Sequence, residues 1–277
     1  MHRNPITIRR LTLRFPEACD PVIALGRPEE SFLYVGLSLL LPHLEPYLIR
    51  SMVSAKPLLD GEGLVKDTEA FIGQESQHYK MHIQFNRCLD LQKYKGLQVL
   101  EDNLAADYNR YSETAALKFN LAYAEGFEAF TLAMTRWVFQ TGLLDHVQPA
   151  ARDLFRWHLV EEMEHRTVAF DVYQHISGSY VYRLWVGLFA QWHLCQFVLR
   201  VTQLMLRTER NDFRKKYGGR WCSFQRVGYL LWLALLYFIP KLLNTHMPWY
   251  SPHRIAMPVS AKAIADEYTE KARSGAR

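Results

Sequence analysis

The chain has 277 residues, of which 49% are hydrophobic and 22% are charged, and its formal net charge is +5. This composition can build a sizeable buried core and excludes an intrinsically disordered chain. The sequence contains no zinc-finger spacing and no RNP-type motif, and its mild charge does not require a nucleic-acid partner. We therefore expect no nucleic-acid binding. Phosphate motifs of the GxxxxGK(S/T) and GxGxxG types and the GxSxG motif are also lacking.

The cysteines indicate the cellular compartment. The four of them are scattered along the chain and form no CxxC pair: Cys19, Cys88, Cys195 and Cys222. Such spacing is typical of reduced thiols in an intracellular protein rather than of a disulfide framework. The first residues are basic but lack the apolar stretch of a secretory signal. We therefore expect a cytoplasmic protein.

Apolar residues at helical spacing dominate the first two thirds of the chain. Residues 1–27 are expected to form an irregular arm, with a short strand at Ile6–Phe15. The predicted helices that follow are Ser31–Ala55, Gly63–Leu89, Ser112–Phe139 and Gln148–His175. Pro42 and Pro46 are expected to bend or restart the first of them, and Asp90–Asp102 is a connector or a short helix. An all-α helical bundle is the economical interpretation.

The last hundred residues contain two apolar segments, Leu184–Leu206 and Val227–Ile239. The connector Arg207–Arg226 between them carries seven Lys or Arg against two acids. The plainer interpretation is two core helices joined by a solvated loop. The alternative is an apolar hairpin that lies in a membrane surface, with the basic loop facing anionic lipid. The charge-free run is shorter than the roughly 20 residues of a bilayer span, so we do not predict a transmembrane protein.

The stretch "RWHLVEEMEHR" concentrates residues that can bind metal. His158, Glu162 and His165 lie at positions i, i+4 and i+7. At roughly 100° per residue all three side chains leave a helix from one face. Glu161 lies within reach of the same face and could act as a base. Glu164 points away, and we expect it to be solvated.

A second helix carries a matching pair. The stretch "FIGQESQHYKMHIQFN" contains Glu75 and His78, which form an ExxH motif like that of Glu162 and His165. His82 lies one turn further along the same face, and neighbouring apolar residues indicate that this face is close to the core. A single ExxH motif is weak evidence, because helices rich in Glu and His produce it by chance.

Ferritin-like di-iron sites combine two ExxH motifs with one Glu from each of two further helices. The first predicted helix offers Glu45 in "LSLLLPHLEPYLIRSM", and the third offers Glu125 and Glu128 in "FNLAYAEGFEAFTLAM". Glu125 and Glu128 share a face, so the residues alone leave the choice between them open. Carboxylates can bridge two cations about 3.5–4 Å apart, and imidazole is a good iron ligand. Buried ion pairs without metal are the alternative, at a high desolvation cost.

These elements predict a single helical domain over residues 1–277. Residues 30–178 are expected to form a metal-binding four-helix core of a ferritin-like or haem-oxygenase-like bundle, and residues 179–250 to form an apolar helical hairpin packed on it. The order Glu, ExxH, Glu, ExxH along the chain is what favours this fold over other helical bundles.

Two stretches, "FIGQESQHYKMHIQFN" and "RWHLVEEMEHRTVAFDVYQ", resemble the signature segments of a bacterial family catalogued as predicted metal-dependent hydrolases. The resemblance extends over roughly residues 5–250 and includes "LEPYLIRSM" and "MPWYSPH". Members of that family usually have Gly-Glu-Arg around the first glutamate. This chain has "HLEPYL" instead, with Pro46 directly after Glu45.

The site pattern is also similar to that of di-iron arylamine N-oxygenases and, more loosely, of haem-oxygenase-like di-iron oxidases. The first group has the order Glu, ExxH, Glu, HxxxExxH, in which His158 matches the additional histidine. This resemblance implies seven metal ligands: Glu45, Glu75, His78, Glu128, His158, Glu162 and His165. It also selects Glu128 over Glu125. His82 has no counterpart in the pattern and is expected either to bind metal or to donate a hydrogen bond to a ligand.

Three functions are considered, and we favour the first, because buried helical ExxH pairs are typical of di-iron proteins. The first is an O₂-activating oxygenase or oxidase of a hydrophobic small molecule, with two Fe ions as cofactors, or with Mn or Zn in their place. The second is a di-metal hydrolase in which Glu161 acts as the base towards a metal-bound water. The third is a non-catalytic metal-binding or membrane-associated protein. O₂ and an electron donor are expected partners of the first function, and a homodimer and peripheral membrane contact are left open.

Overall fold

A computed structural model describes residues 6–275, and these residues form α-helices and no β-strand. The helices are α1 (Pro28–Ala55), α2 (Glu62–Cys88), α3 (Leu97–Thr114), α4 (Leu117–Thr141), α5 (Pro149–His165), α6 (Val168–Ile176), α7 (Tyr180–Thr208), α8 (Arg210–Lys216), α9 (Arg220–Leu233), α10 (Ile239–Thr245) and α11 (Val259–Gly275). A short π-helical segment joins α9 to α10. The prediction of an all-α bundle is confirmed.

Helices α1 and α4 form the centre of the bundle. Both are apolar on nearly every side, as expected of helices surrounded by others. Helix α1 packs against α2, α3, α4 and α7, and α4 packs against α5, α6 and α7. The two helices that carry the predicted lone glutamates, Glu45 and Glu128, therefore lie in the most buried part of the molecule.

Several local predictions were wrong. Of the two outcomes expected at Pro42 and Pro46, a restart does not occur, because α1 runs unbroken past both, and whether it bends there stays a prediction. The burial of α1 on several sides offsets the backbone hydrogen bonds that two prolines remove. No strand forms over Ile6–Phe15. The segment Asp90–Asp102 leads into α3, a full helix that extends to Thr114.

The end of the fourth predicted helix also differs, because α5 ends at His165 and α6 begins at Val168. The expected solvated loop Arg207–Arg226 contains α8 and the start of α9. Helix α11 was not predicted, and it packs on α5. Its buried residues Ala261, Ile264, Ala265 and Tyr268 have the i, i+3, i+4, i+7 spacing that could have revealed it.

Helices α4 and α7 cross at two glycines. A Cβ atom built on Gly126 would lie 2.4 Å from the Cα atom of Gly187, so the two backbones are in direct contact. Glu125 and Glu128 flank this crossing on α4. The close approach therefore fixes the height and rotation of the helix segment that carries them.

Two helical segments are long and apolar enough to cross a membrane by length and composition alone, Pro28–Leu58 and Arg220–Thr245. The first is mostly buried in the bundle, as a core helix would be. Only 6% of the most apolar window of the second is buried. The apolar run Val227–Ile239 therefore lies within a longer helical segment, which has 26 residues.

Candidate metal centre

Helices α1, α2, α4 and α5 bring seven side chains together in the middle of the bundle. They are Glu45, Glu75, His78, Glu128, His158, Glu162 and His165, all of them buried. Their possible ligand atoms form three overlapping groups, and the atoms of each group lie within 4.8 Å of one another. These are the seven residues that the resemblance implied. That they bind metal stays a prediction.

Glu162 lies at the centre of the cluster. Its Oε1 atom is 2.9 Å from Nε2 of His158, and its Oε2 atom is 3.4 Å from Nε2 of His165. Near His158, Nε2 also lies 3.7 Å from Oε1 of Glu45. Near His165, Nε2 lies 3.4 Å from Oε1 of Glu75 and 3.3 Å from Oε2 of Glu128. One carboxylate therefore faces two separate groups of ligand atoms.

Each of the three clustered imidazoles has its outward nitrogen engaged by a neighbour. For His78 the neighbour is Glu161, whose Oε2 atom lies 2.9 Å from Nε2. The other oxygen of Glu161 accepts hydrogen bonds from Nη1 of Arg9 at 3.0 Å and from Nε1 of Trp157 at 2.9 Å. Both oxygens of Glu161 are thus occupied. This geometry favours an orienting role for Glu161 over the role of a base.

For His165 the neighbour is Gln74, whose Oε1 atom lies 2.9 Å from Nδ1. The amide nitrogen of Gln74 donates to the backbone oxygen of Thr7 at 3.0 Å and to Oε2 of Glu164 at 2.9 Å. These two bonds fix the amide orientation, so Nδ1 of His165 donates and Nε2 faces the cluster. The prediction that Glu164 is solvated was wrong, because it is buried and bound to Arg9.

For His158 the neighbour is His82, whose Nε2 atom lies 3.0 Å from Nδ1 of His158. Nδ1 of His82 lies 2.8 Å from the hydroxyl of Ser38, and that hydroxyl donates to Oδ1 of Asn86. Asn86 in turn donates to the backbone oxygen of Ser38. The direction of this chain makes Nδ1 of His158 a donor and leaves a lone pair on Nε2. His82 thus contacts a candidate ligand by a hydrogen bond, but it accepts that bond from His158 and does not donate it as expected.

Glu125 lies apart from the cluster. Its Oε1 atom accepts a hydrogen bond from Nη1 of Arg183 at 2.8 Å, and both side chains are buried. Arg183 also donates to the backbone oxygen of Thr245. Burial raises the pKa of Glu125, and the charge of Arg183 opposes that effect. Of the two glutamates on α4, only Glu128 belongs to the grouped ligand atoms.

The cluster holds most of the buried polar atoms that have no hydrogen-bond partner. Among the described residues, thirteen buried side-chain nitrogen and oxygen atoms lack a partner, and nine of them belong to the cluster. The nine are both carboxylate oxygens of Glu45, Glu75 and Glu128, Oε2 of Glu162, Nδ1 of His78 and Nε2 of His165. Unpaired buried acceptors are costly, and a bound cation satisfies several of them at once. Carboxylates with imidazoles form a donor set that fits iron, manganese or zinc.

The pKa values of the cluster show how unfavourable its ionised carboxylates are to one another. Burial and the charge of Glu75 raise the pKa of Glu45 well above its usual range, and burial and the charge of Glu162 do the same for Glu75. The same two causes raise the pKa of Glu128 to about 7. Burial would lower the pKa of His165, but the charges of Glu162 and Glu128 hold it well above normal. A field that attracts a proton this strongly also attracts a divalent cation.

His78 and His82 are held neutral. Burial first, and then the proximity of His158, lowers the pKa of His78 and of His82 well below the usual value. Neutral imidazole is the form that binds metal. Nδ1 of His78 lies 3.8 Å from Oε1 of Glu75 and 3.8 Å from Oε1 of Glu162. It is therefore positioned as a further inward donor.

An apolar cavity lies beside the cluster, between α1, α4, α5 and α7. Its lining includes Leu37, Phe127, Phe130, Met134 and Leu194. His158 is the member of the seven-residue cluster that lines it. A molecule in this cavity would be surrounded by apolar side chains and would reach the cluster at His158.

A family model described as "predicted metal-dependent hydrolase" matches residues 7–256 of the chain. The matched region contains all seven clustered residues and the residues that engage the three imidazoles from outside. No curated protein and no solved structure matches the chain.

Proposed function

We propose a metal-dependent enzymatic function for this chain, which belongs to the family of predicted metal-dependent hydrolases. The observation that carries the proposal is the set of nine unpartnered atoms in one buried cluster. Three imidazoles turn their free nitrogens towards four carboxylates, and each imidazole is fixed from behind by a hydrogen bond. Metal-binding histidines are oriented in this way by carboxylates, amides and other acceptors.

The geometry fits two metal ions. One ion would be held by Glu45, His78 and His158, the other by Glu75, Glu128 and His165, and Glu162 would reach both. Four carboxylates carry the charge that two divalent cations offset. The support for two ions rather than one is the position of Glu162, whose two oxygens face different histidines.

We infer that the reaction is the oxidation of an apolar small molecule and that the metal is iron. Two bound Fe(II) ions would supply two of the four electrons that reduce O₂ to the level of water, the substrate would supply the other two, and an external electron donor would restore Fe(II). The chain contributes an apolar cavity beside His158, and a substrate with few hydrogen-bonding groups would fit the chemistry of its lining. The full engagement of Glu161 supports this choice, because it leaves that carboxylate without a free oxygen to activate water.

Metal-dependent hydrolysis is the second candidate, and the family description favours it. A metal ion can lower the pKa of a bound water and so create a nucleophile near neutral pH. Few of the side chains that line the cavity are polar, and besides His158 they include Tyr34 and Thr131. A hydrolase substrate would therefore be an ester or amide with a largely apolar body.

One experiment separates the two candidates. The protein is loaded anaerobically with Fe(II) and then exposed to air while O₂ uptake and visible absorption are recorded. In parallel, the zinc-loaded protein is assayed with chromogenic esters and phosphate esters. O₂ consumption by the iron form, lost in Glu162→Gln and kept in the control Glu125→Gln, supports oxidation. Full ester hydrolysis by the zinc form without O₂ uptake by the iron form would overturn it in favour of hydrolysis.

A further inference from the structure

The helical segment Arg220–Thr245 exposes an unusually large apolar surface. Its exposed side chains include Trp221, Phe224, Leu231 and Leu235, each about two thirds accessible to solvent. We call the exposed apolar side chains of this segment the apolar face. Monomeric soluble proteins rarely expose so large a continuous apolar surface, and such surfaces mark a partner or a membrane.

The segment contacts the bundle near its start, in its middle and near its end. At its start Nε of Arg226 donates to Glu29 of α1 at 2.8 Å. In the middle Leu233 is buried, and near its end the ring of Phe238 lies 5.2 Å from that of Phe130 on α4. A helix held in this way lies parallel to the bundle surface. Its free side can therefore enter a membrane interface in plane, whereas a crossing would draw the bundle into the bilayer.

Helix α7 runs antiparallel to this segment. Arg183, near the start of α7, contacts the backbone of Thr245 at the end of the segment. Thr202, near the end of α7, contacts the backbone of Phe32 close to the start of α1, which is also where Arg226 of the segment binds Glu29. The outer side of α7 exposes apolar residues at helical spacing: Val181, Trp185, Leu188, Trp192 and Leu199. Both arms of the hairpin thus have an apolar outer side.

Tryptophan is concentrated in this region. The chain has seven tryptophans, and the five exposed ones all lie between residues 180 and 250: Trp185, Trp192, Trp221, Trp232 and Trp249. Tryptophan is enriched at membrane–water interfaces, where its ring is buried and its N–H group stays hydrated. Exposed tryptophans along this part of the chain are therefore better matched by a lipid interface than by water.

The segment that leads into the apolar face is strongly basic. Its exposed cations are Arg207, Arg210, Arg214, Lys215, Lys216 and Arg220. Asp212 is the exposed acid among residues 207–220, since Glu209 is buried against Tyr94 and Lys93. Clusters of Lys and Arg next to an apolar helix bind anionic lipid headgroups. The positive charge of this segment therefore favours an anionic lipid surface as the partner of the apolar face.

We propose that the apolar face docks in plane on an anionic lipid bilayer, with the basic segment Arg207–Arg220 against the headgroups. The apolar and aromatic side chains enter the interface, and the cations fix the sign of the lipid charge. The proposal is independent of the metal centre, because none of its residues belongs to the seven-residue cluster.

Vesicle flotation of the full chain tests this proposal. We expect binding to phosphatidylcholine vesicles that contain phosphatidylglycerol, binding at least tenfold weaker to phosphatidylcholine alone, and release from anionic vesicles at high salt. Leu231→Glu/Leu235→Glu places two charges on the apolar face and should reduce binding at least tenfold. Lys215→Glu/Lys216→Glu should reduce it by about tenfold or more at low salt.

Matched controls carry the same changes elsewhere. Val53→Glu/Val99→Glu alters two exposed apolar residues on other helices, and Lys80→Glu/Arg87→Glu reverses two exposed cations on α2. Both should bind vesicles as the natural chain does. Equal binding of the natural chain to neutral and anionic vesicles would overturn the proposal. So would unchanged binding by both Leu231→Glu/Leu235→Glu and Lys215→Glu/Lys216→Glu. The proposal would also be overturned if the natural chain did not bind vesicles and sedimented as a dimer that Leu231→Glu/Leu235→Glu dissociates. The apolar face would then be the interface between two copies of the chain.

Discussion

Nε2 of His78 lies 2.9 Å from Oε2 of Glu161, and both side chains are buried. Glu161 forms an ion pair with Arg9, and an ionised carboxylate only accepts hydrogen bonds, so Nε2 of His78 is the donor. Because this nitrogen carries the proton, Nδ1 keeps its lone pair and faces the carboxylates of the cluster. Glu161 is itself fixed by Arg9 and Trp157. The tautomer of a candidate ligand is thus set by residues that do not face the cluster.

Replacing Glu161 tests this relationship. Glu161→Gln removes the charge that stabilises the donated hydrogen bond and leaves the volume unchanged. We expect metal affinity to fall by about 10- to 100-fold, as for other residues that orient metal-bound histidines. Competition with a chelator of known affinity measures the change. Glu125→Gln is the matched control, a buried carboxylate outside the cluster, and should keep the affinity of the natural chain. Equal affinities of the two variants would contradict the orienting role.

The second prediction concerns metal stoichiometry. His165→Ala removes a donor from one of the two proposed metal positions, so bound iron should fall below two per chain while helicity stays nearly unchanged. Glu162→Gln affects the carboxylate that reaches both positions and should reduce the metal content further. Elemental analysis and circular dichroism measure the two quantities. Unchanged metal content in His165→Ala would remove this residue from the site.

Metal binding should depend on pH. The pKa of Glu128 is raised to about 7, and those of Glu45 and Glu75 are raised well above normal, so these carboxyls retain protons near neutral pH in the absence of metal. A metal ion must displace those protons, and its affinity should therefore fall as the pH falls from about 8 to about 6. The expected loss is about tenfold per pH unit for each proton displaced.

Anaerobic titration with Mn(II) at several pH values measures how the metal affinity depends on pH. Calorimetry in buffers of different ionisation enthalpy counts the protons released on binding. An affinity that stays constant from pH 8 to pH 6, with no proton release, would show that the carboxyls are already ionised and that the pKa argument is wrong.

Helical geometry alone puts the two residues of an ExxH motif on one face, so Glu75 with His78 and Glu162 with His165 could be predicted from the sequence. The full set of seven, with Glu128 rather than Glu125, was implied by the resemblance. Their supporting residues could not be predicted. Arg9 reaches Glu161 across 152 positions in the chain, and no local pattern relates the two. Gln74 precedes Glu75 directly, but its role depends on the arm that supplies Thr7.

Fold predictions failed where tertiary packing outweighed local preference. Pro42 and Pro46 are local signals for a break, yet α1 continues because it is surrounded by other helices. Conversely, the break between α5 and α6 at residues 166–167 has neither glycine nor proline to mark it. Arg166 turns there to donate to the backbone of Ile255, a contact that the sequence does not reveal.

At the crossing of α4 and α7, replacing Gly126 and replacing Gly187 by alanine should have different effects on stability. A Cβ atom on Gly126 would lie 2.4 Å from the Cα atom of Gly187, whereas a Cβ atom on Gly187 would meet Gly126 at 3.5 Å, an ordinary contact. Gly126→Ala must push the two helices apart, and we expect it to lower the free energy of unfolding by about 1–3 kcal/mol. Gly187→Ala should be neutral or stabilise the protein by up to about 1 kcal/mol, since alanine favours a helix over glycine. Urea unfolding measures both values, and equal effects of the two substitutions would contradict the direct backbone contact. Because Glu128 lies half a turn from Gly126, the loss of stability in Gly126→Ala should be accompanied by weaker metal binding, and Gly187→Ala should leave binding unchanged.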